Sequence, residues 1–224
     1  MNIRNQLHSV IAGSLEMLKT QKWLKTKQGK LNMTTQSTTG ELRAGKVSRA
    51  EFGTILRRKI CIILDGVGSS SNLGNIFRLA DAMLIEKIWI CGKPPVLGSR
   101  FYKASRGTDR WASWEYVDNT AKLLAGLKSD GYSIVAMELC PSAKPLSQFP
   151  LREPLALVFG SESGGVSQQA LDFCDASVYL PMLGMGNSIN VSNSVAIALY
   201  EATRALDERN AVEQNDKHSP ARLQ

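Results

Sequence analysis

Three stretches of this 224-residue chain set small residues beside side chains able to do chemistry. The first runs from Leu64 through Gly66, Gly68 and three serines to Asn72, Gly74, Asn75 and Arg78. The second, Phe159 to Val166, sets Glu162 among Gly160, Ser161, Ser163, Gly164 and Gly165. The third, Tyr179 to Ser194, carries Gly184, Gly186, Ser188, Asn190 and Ser192. Amides, hydroxyls and accessible backbone groups bind polar ligands without bulk, and glycine lets a ligand approach the main chain. A plain strand-to-helix turn with Ser or Asn as helix cap explains one or two of these residues in the third stretch, but not the set.

Several chemistries are disfavoured. The only histidines, His8 and His218, lie near the two ends, which argues against a Ser-His-Asp triad, a His proton shuttle or a His-rich metal site inside the domain. Chemistry then falls to Arg, carboxylates, Ser, Asn or backbone groups. Gly66-x-Gly68 begins a dinucleotide fingerprint, but its third glycine falls on Ser71, and Cys91-Gly92 at the end of the next apolar run offers no acid for a ribose. No Gly-Lys-Ser/Thr follows, so a P-loop fails too. In the second stretch Glu162 stands where a nucleophile elbow needs Ser. Arg78 is a candidate for an anion, or a surface partner of Asp81 or Asp65.

The elements that must position these residues alternate. Apolar, β-branched runs at Ile60–Leu64, Ile88–Cys91, Ser133–Met137, Leu155–Phe159 and Ser177–Leu180 read as strands buried on both faces. Between them, Asn75–Leu84, Ala121–Leu127, Ser167–Phe173 and Val191–Leu206 read as helices. The alternation predicts an α/β domain with a mainly parallel sheet, and such sheets hold ligands beyond the carboxyl ends of their strands. Three glycine-rich loops at those ends predict one composite pocket.

Net charge is +7, but residues 1–60 hold 12 Lys/Arg against 3 acids and the remainder 15 against 17. The basic quarter suits a polyanion, although solubilising charge explains it equally well. Within it, Leu7, Val10, Ile11, Leu15 and Leu18 predict an amphipathic helix over residues 5–20, followed by a basic connector from about Gln28 to Gly53. The expected organisation is residues 1–55 as a basic helical extension for RNA, 56–206 as the main domain, and 207–224 as a polar tail with a frayed helix. Cys61, Cys91, Cys140 and Cys174 show no C-x-x-C spacing and read as reduced core residues. With no run of 18 apolar residues and no apolar leader, the expectation is a soluble, cytoplasmic protein without membrane contact.

The motifs Asn72, Gly74, Asn75 and Arg78, then Gly160-Ser161-Glu162-x-x-Gly165, then Leu180-Pro181-Met182-x-Gly184 with Ser188-Ile189-Asn190-Val191-Ser192, resemble those of the SpoU/TrmH group of SPOUT RNA ribose 2′-O-methyltransferases. The resemblance spans about residues 58 to 206. Ser163 departs from the common Gly, and Asn193-Ser194 from the common Val-Ala pattern. The resemblance implies an α/β fold with a C-terminal deep trefoil knot, a homodimer, and S-adenosylmethionine as cofactor, with no metal. Position by position it implies Met137, Gly160, Leu180, Gly184 and Ile189 at the cofactor, and Asn72, Arg78, Glu162, Ser188 and Asn190 as catalytic. It implies methylation of a ribose 2′-hydroxyl in structured RNA, tRNA before rRNA and a D-loop guanosine before other nucleotides. The competing reading is a non-catalytic knotted RNA-binding protein. The basic and aromatic stretch Lys103 to Trp114 fits an RNA surface, with Trp111 and Trp114 equally suited to the core.

Overall fold

The computed structural model describes residues 48–218 together with Thr38, Gly40, Glu41 and Lys46. The chain divides into two compact units, Met1–Leu56 and Arg57–Gln224. The amphipathic helix expected over residues 5–20, most of the connector and the last six residues lie outside the described residues. The end of the connector contains one helical turn, α1 (Arg49–Phe52). Ser48 and Glu51 close a capping box there: the Ser48 N–H donates to Glu51 Oε2 at 2.9 Å and the Glu51 N–H to Ser48 Oγ at 3.3 Å. That reciprocal cap satisfies two otherwise orphaned donors within a run whose composition reads as loop.

In the second unit seven strands form one sheet: β1 (Arg58–Asp65), β2 (Ile85–Cys91), β3 (Trp114–Val117), β4 (Ser133–Met137), β5 (Lys144–Pro145), β6 (Leu155–Gly160) and β7 (Ala176–Tyr179). Their order is β3-β2-β1-β6-β4-β7-β5, and every pairing is parallel. Five helices complete the unit: α2 (Ser70–Ala82), α3 (Ser99–Ser105), α4 (Thr120–Ser129), α5 (Gln168–Leu171) and α6 (Val191–His218).

The pleat of the central strands sorts two cores. Ile60, Ile62 and Leu64 of β1 with Leu155, Leu157 and Phe159 of β6 face Leu73, Ile76, Phe77, Phe101, Val195 and Leu199 of α2, α3 and α6. Cys61 and Ile63 with Ala156 and Val158 face Leu124, Leu127 and Ala170 of α4 and α5. Each fully buried Ile, Leu or Phe is worth about 1.5–3 kcal/mol, so this double-sided burial is what fixes the register of β1 and β6.

The structure departs from the expected elements in ways with local causes. Helix α2 begins at Ser70, five residues before the expected Asn75, because Ser69 Oγ caps it by accepting from the Asn72 N–H. Helix α3 and strand β3 were not expected; β3 has only four residues, one of them Glu115. Helix α5 is shorter than expected and α6 continues past Leu206 to His218. Trp114 is half-buried against the core, edge-on to Phe77 with ring centroids 5.8 Å apart, whereas Trp111 is 37% exposed.

All four cysteines are free. Cys61 and Cys91 are buried as expected, and burial pushes their thiols up to about 11 and about 12. Cys174 and Cys140 are only half-buried, which corrects the expectation of four core residues. Burial still raises Cys174 to about 12, while a hydrogen bond from Ser177 lowers Cys140.

Candidate active site

The second and third glycine-rich stretches, with the end of β4, surround a cavity of about 810 Å³ at the carboxyl ends of β4, β6 and β7; the first stretch contributes none of its wall, which corrects the expectation of one pocket lined by all three. Its walls are Met137 to Leu139, Phe159 to Ser163 with Gly165, and much of Tyr179 to Ser194. Small-molecule sites span about 300–1,000 Å³, so this one is large enough for a nucleoside-sized ligand.

Glycine is dictated by close approach at two of its positions. A Cβ on Gly160 would lie 1.8 Å from the Gly165 carbonyl carbon. The reason is a tight return: the Ser161 N–H donates to Gly165 O at 3.1 Å and the Gly165 N–H to Ser161 O at 3.0 Å. Gly165 has φ +65°, a left-handed conformation that favours glycine, and a Cβ there would meet Glu138 Oε2 at 2.3 Å.

Met137, Gly160, Leu180, Gly184 and Ile189 all line the cavity, as do Glu162, Ser188 and Asn190. Asn72 is not in the wall, but it is buried and joins two walls. Its Nδ2 donates to Glu162 Oε1 at 2.6 Å, and its Oδ1 accepts from Asn190 Nδ2 at 3.0 Å. Asn190 Oδ1 in turn accepts from the Ser192 N–H at 2.9 Å and from Ser192 Oγ at 2.7 Å. Asn190 therefore is a helix cap, as the plain turn reading has it, and simultaneously a link to Asn72 and Glu162. One hydrogen-bond chain, Glu162, Asn72, Asn190 and Ser192, ties all three loops.

Arg78 is on the helix that carries Asn72, six residues on, and is exposed. It is not part of the cavity wall and makes no hydrogen bond or ion pair among the described residues. Arg78 does not pair with Asp65, which is buried and accepts from Thr120 Oγ1 at 2.6 Å and from the Ser167 N–H at 2.8 Å.

Two residues that the motifs do not contain hold the end of loop 160–167. Glu138, immediately after β4, lines the cavity and accepts from the Val166 N–H at 2.8 Å through Oε2. Asp65, at the end of β1, holds the neighbouring amide of Ser167. A carboxylate directly at the carboxyl end of a predicted parallel strand is the sequence signal that finds both. Among the described residues no group of three or more His, Cys, Asp or Glu is placed to hold a metal ion, and no helix is long and apolar enough to cross a membrane.

Residues 59–200 match the model of the SpoU rRNA Methylase family. A tRNA (guanosine(18)-2′-O)-methyltransferase of Thermus thermophilus is 31% identical over 160 residues, covering 70% of this chain and 81% of that protein. A putative TrmH family tRNA/rRNA methyltransferase of Staphylococcus haemolyticus is 35% identical over 144 residues, covering 64% of this chain and 57% of that protein. The crystal structure of the Aquifex aeolicus TrmH/SpoU tRNA modifying enzyme is similar with a TM-score of 0.64 at 29% identity, over 69% of this chain and 78% of that one.

Proposed function

The chain belongs to the SpoU methylase family, and on that premise we propose that it methylates a ribose 2′-hydroxyl of tRNA, using S-adenosylmethionine, with a D-loop guanosine as target. The observation that carries the reading is the chain Glu162, Asn72, Asn190 and Ser192, in which Asn72 links from behind the two loops that wall a nucleoside-sized cavity.

The cavity fits the cofactor. It is roomy enough, and its wall combines apolar side chains with the small residues Gly160, Ser161, Gly184, Gly186 and Ser188, which leave backbone groups within reach of a ligand. When bound, S-adenosylmethionine supplies a methyl group on a positively charged sulfur. Met137, Leu180 and Ile189 offer apolar contact, and Gly184 permits the chain to turn closely around the ligand.

Methyl transfer to a hydroxyl needs an aligned oxygen and a place for its proton, so positioning supplies much of the rate. Arg78 serves as a clamp on the target phosphate. A guanidinium stays protonated, which makes it a poor base, but its planar fork matches a phosphate bidentately. Its lack of a partner among the described residues keeps it available for that role. Glu162 has one oxygen held by Asn72, which leaves the other to receive the ribose hydroxyl. Ser188 and Asn190 line the reacting end.

Arg100, Lys103, Arg106 and Arg110 are exposed with Tyr102 and Trp111 on and after α3, the helix that packs against α2. That mixture of cations and rings serves as the RNA surface, and residues 1–55 add phosphate contacts without sequence preference. We read the passage from β7 through residues 180–190 into α6 as the knot of this family. Leu183 and Met185 are 98% and 101% exposed, and Ile197 and Tyr200 on α6 are 45% and 61% exposed, an apolar surface suited to a second copy of this chain. A cytoplasmic location goes with a tRNA substrate.

Calorimetry with S-adenosylmethionine separates the enzyme from a pure RNA-binding module: the enzyme binds it, the module does not. Mapping 2′-O-methyl sites by mass spectrometry in tRNA and rRNA from a strain lacking the protein tests the substrate. Loss of one tRNA methyl is expected, and loss confined to rRNA would replace tRNA with rRNA.

A further inference from the structure

Loop 160–167 carries Glu162 and forms one wall of the cavity, and its closing end is held by carboxylates rather than by packing alone. The N–H groups of Val166 and Ser167, consecutive along the chain, each donate to an acidic side chain at 2.8 Å, the first to Glu138 Oε2 and the second to Asp65 Oδ2. Glu138 leaves the end of β4, where its own N–H donates to Val178 O at 3.0 Å, and its Oε1 accepts from the Leu139 N–H at 3.0 Å. Its backbone is thus fixed to β7, and its carboxylate joins the end of β4 to the β6 loop. Oε2 lies 2.3 Å from where a Cβ on Gly165 would be, so the absence of a side chain at Gly165 is what admits the carboxylate.

We propose that Glu138 is a positioning residue of the methyl-donor cavity, clasping loop 160–167 through Val166 and so holding the wall that bears Glu162 at the spacing the donor requires. The proposal rests on reading that cavity as the S-adenosylmethionine site. Glu138 shares the cavity wall with Glu162 but acts through the loop, and its reach, not its charge, is what the clasp needs.

Reach and charge separate cleanly in variants of the full chain. Glu138→Gln keeps the length and a carbonyl acceptor for the Val166 N–H and gives up only the bond from the adjacent Leu139 N–H, whereas Glu138→Asp keeps the charge and is one methylene too short. Calorimetry with S-adenosylmethionine is expected to give a Kd within about 3-fold of wild type for Glu138→Gln and at least about 10-fold weaker for Glu138→Asp and Glu138→Ala. Affinity for a tRNA transcript stays within about 2-fold throughout, since the clasp faces the donor cavity. Hydrogen exchange of the peptide spanning residues 160–167 quickens in Glu138→Asp and not in Glu138→Gln.

The reverse order, Glu138→Asp near wild type and Glu138→Gln weak, would overturn the clasp in favour of a charge effect. Unchanged donor affinity in Glu138→Asp with slow exchange would overturn it as well. If Glu138→Ala does not fold, the Gln and Asp pair still decides. Wild-type protein that binds no S-adenosylmethionine would sink the cofactor reading instead, while the exchange order of the two variants would continue to test the clasp.

Discussion

Asn72 and Arg78 share helix α2, but only Asn72 is tied into the hydrogen-bond chain, and the two residues therefore fail differently. Arg78→Ala removes an exposed side chain without a partner among the described residues, so stability and donor affinity are expected to hold while methyl transfer falls at least about 100-fold. Arg78→Lys, which cannot grip a phosphate bidentately, should recover little of the rate. Asn72→Ala frees one Glu162 oxygen and the Asn190 amide. Both partners are exposed and find water, so only about 1 kcal/mol of stability is expected to go, about 2–4 °C in Tm, with a larger loss in kcat. Single-turnover assays beside thermal melts check both variants. Alkylation followed by peptide mass mapping should find Cys140 modified first at pH 8, since burial keeps the Cys61, Cys91 and Cys174 thiols protonated. Asn72, Glu162 and Asn190 were legible as chemistry because their types and spacing are unusual in plain turns. Glu138 and Asp65 are marked only by standing directly after predicted strands, and nothing in the sequence names their partners, which are backbone amides far along the chain.

Strands β1, β4 and β6 stand out in the sequence as short continuous apolar runs, because both their faces are buried, and α6 stands out by helical spacing of its apolar residues. What stayed hidden was short or capped by local side-chain bonds: β3 with four residues, α3 with seven, and the first turn of α2 read as a Gly/Ser loop. Gly74 illustrates how an element's packing can override propensity. It lies in the interior of α2, where glycine costs about 1 kcal/mol, because a Cβ there would come within 2.6 Å of Phe101 O and Ala104 Cβ on α3. Gly74→Ala is therefore expected to destabilise by about 1–3 kcal/mol despite the better helix former, as urea titration would measure. A gain in stability would show that α3 moves freely.

At the scale of the whole molecule, the sequence signals alternation and composite loops, whereas connectivity through a knot and assembly with a second copy are not properties that periodicity encodes. The exposed Leu183, Met185, Ile197 and Tyr200 lead to the expectation of a dimer in sedimentation equilibrium, and of a shift toward monomer when Ile197 and Tyr200 are both replaced by Asp. Removing residues 1–55, with most of the excess positive charge, is expected to flatten the dependence of RNA affinity on salt without abolishing transfer. The measurement that tests the central claim most directly is transfer of a labelled methyl group from S-adenosylmethionine to an unmodified tRNA transcript, with nuclease mapping of the product. The account predicts one 2′-O-methylated ribose, formed by wild-type protein and lost in Arg78→Ala while donor binding persists. A methyl found on a base, or transfer undiminished in Arg78→Ala, would contradict it.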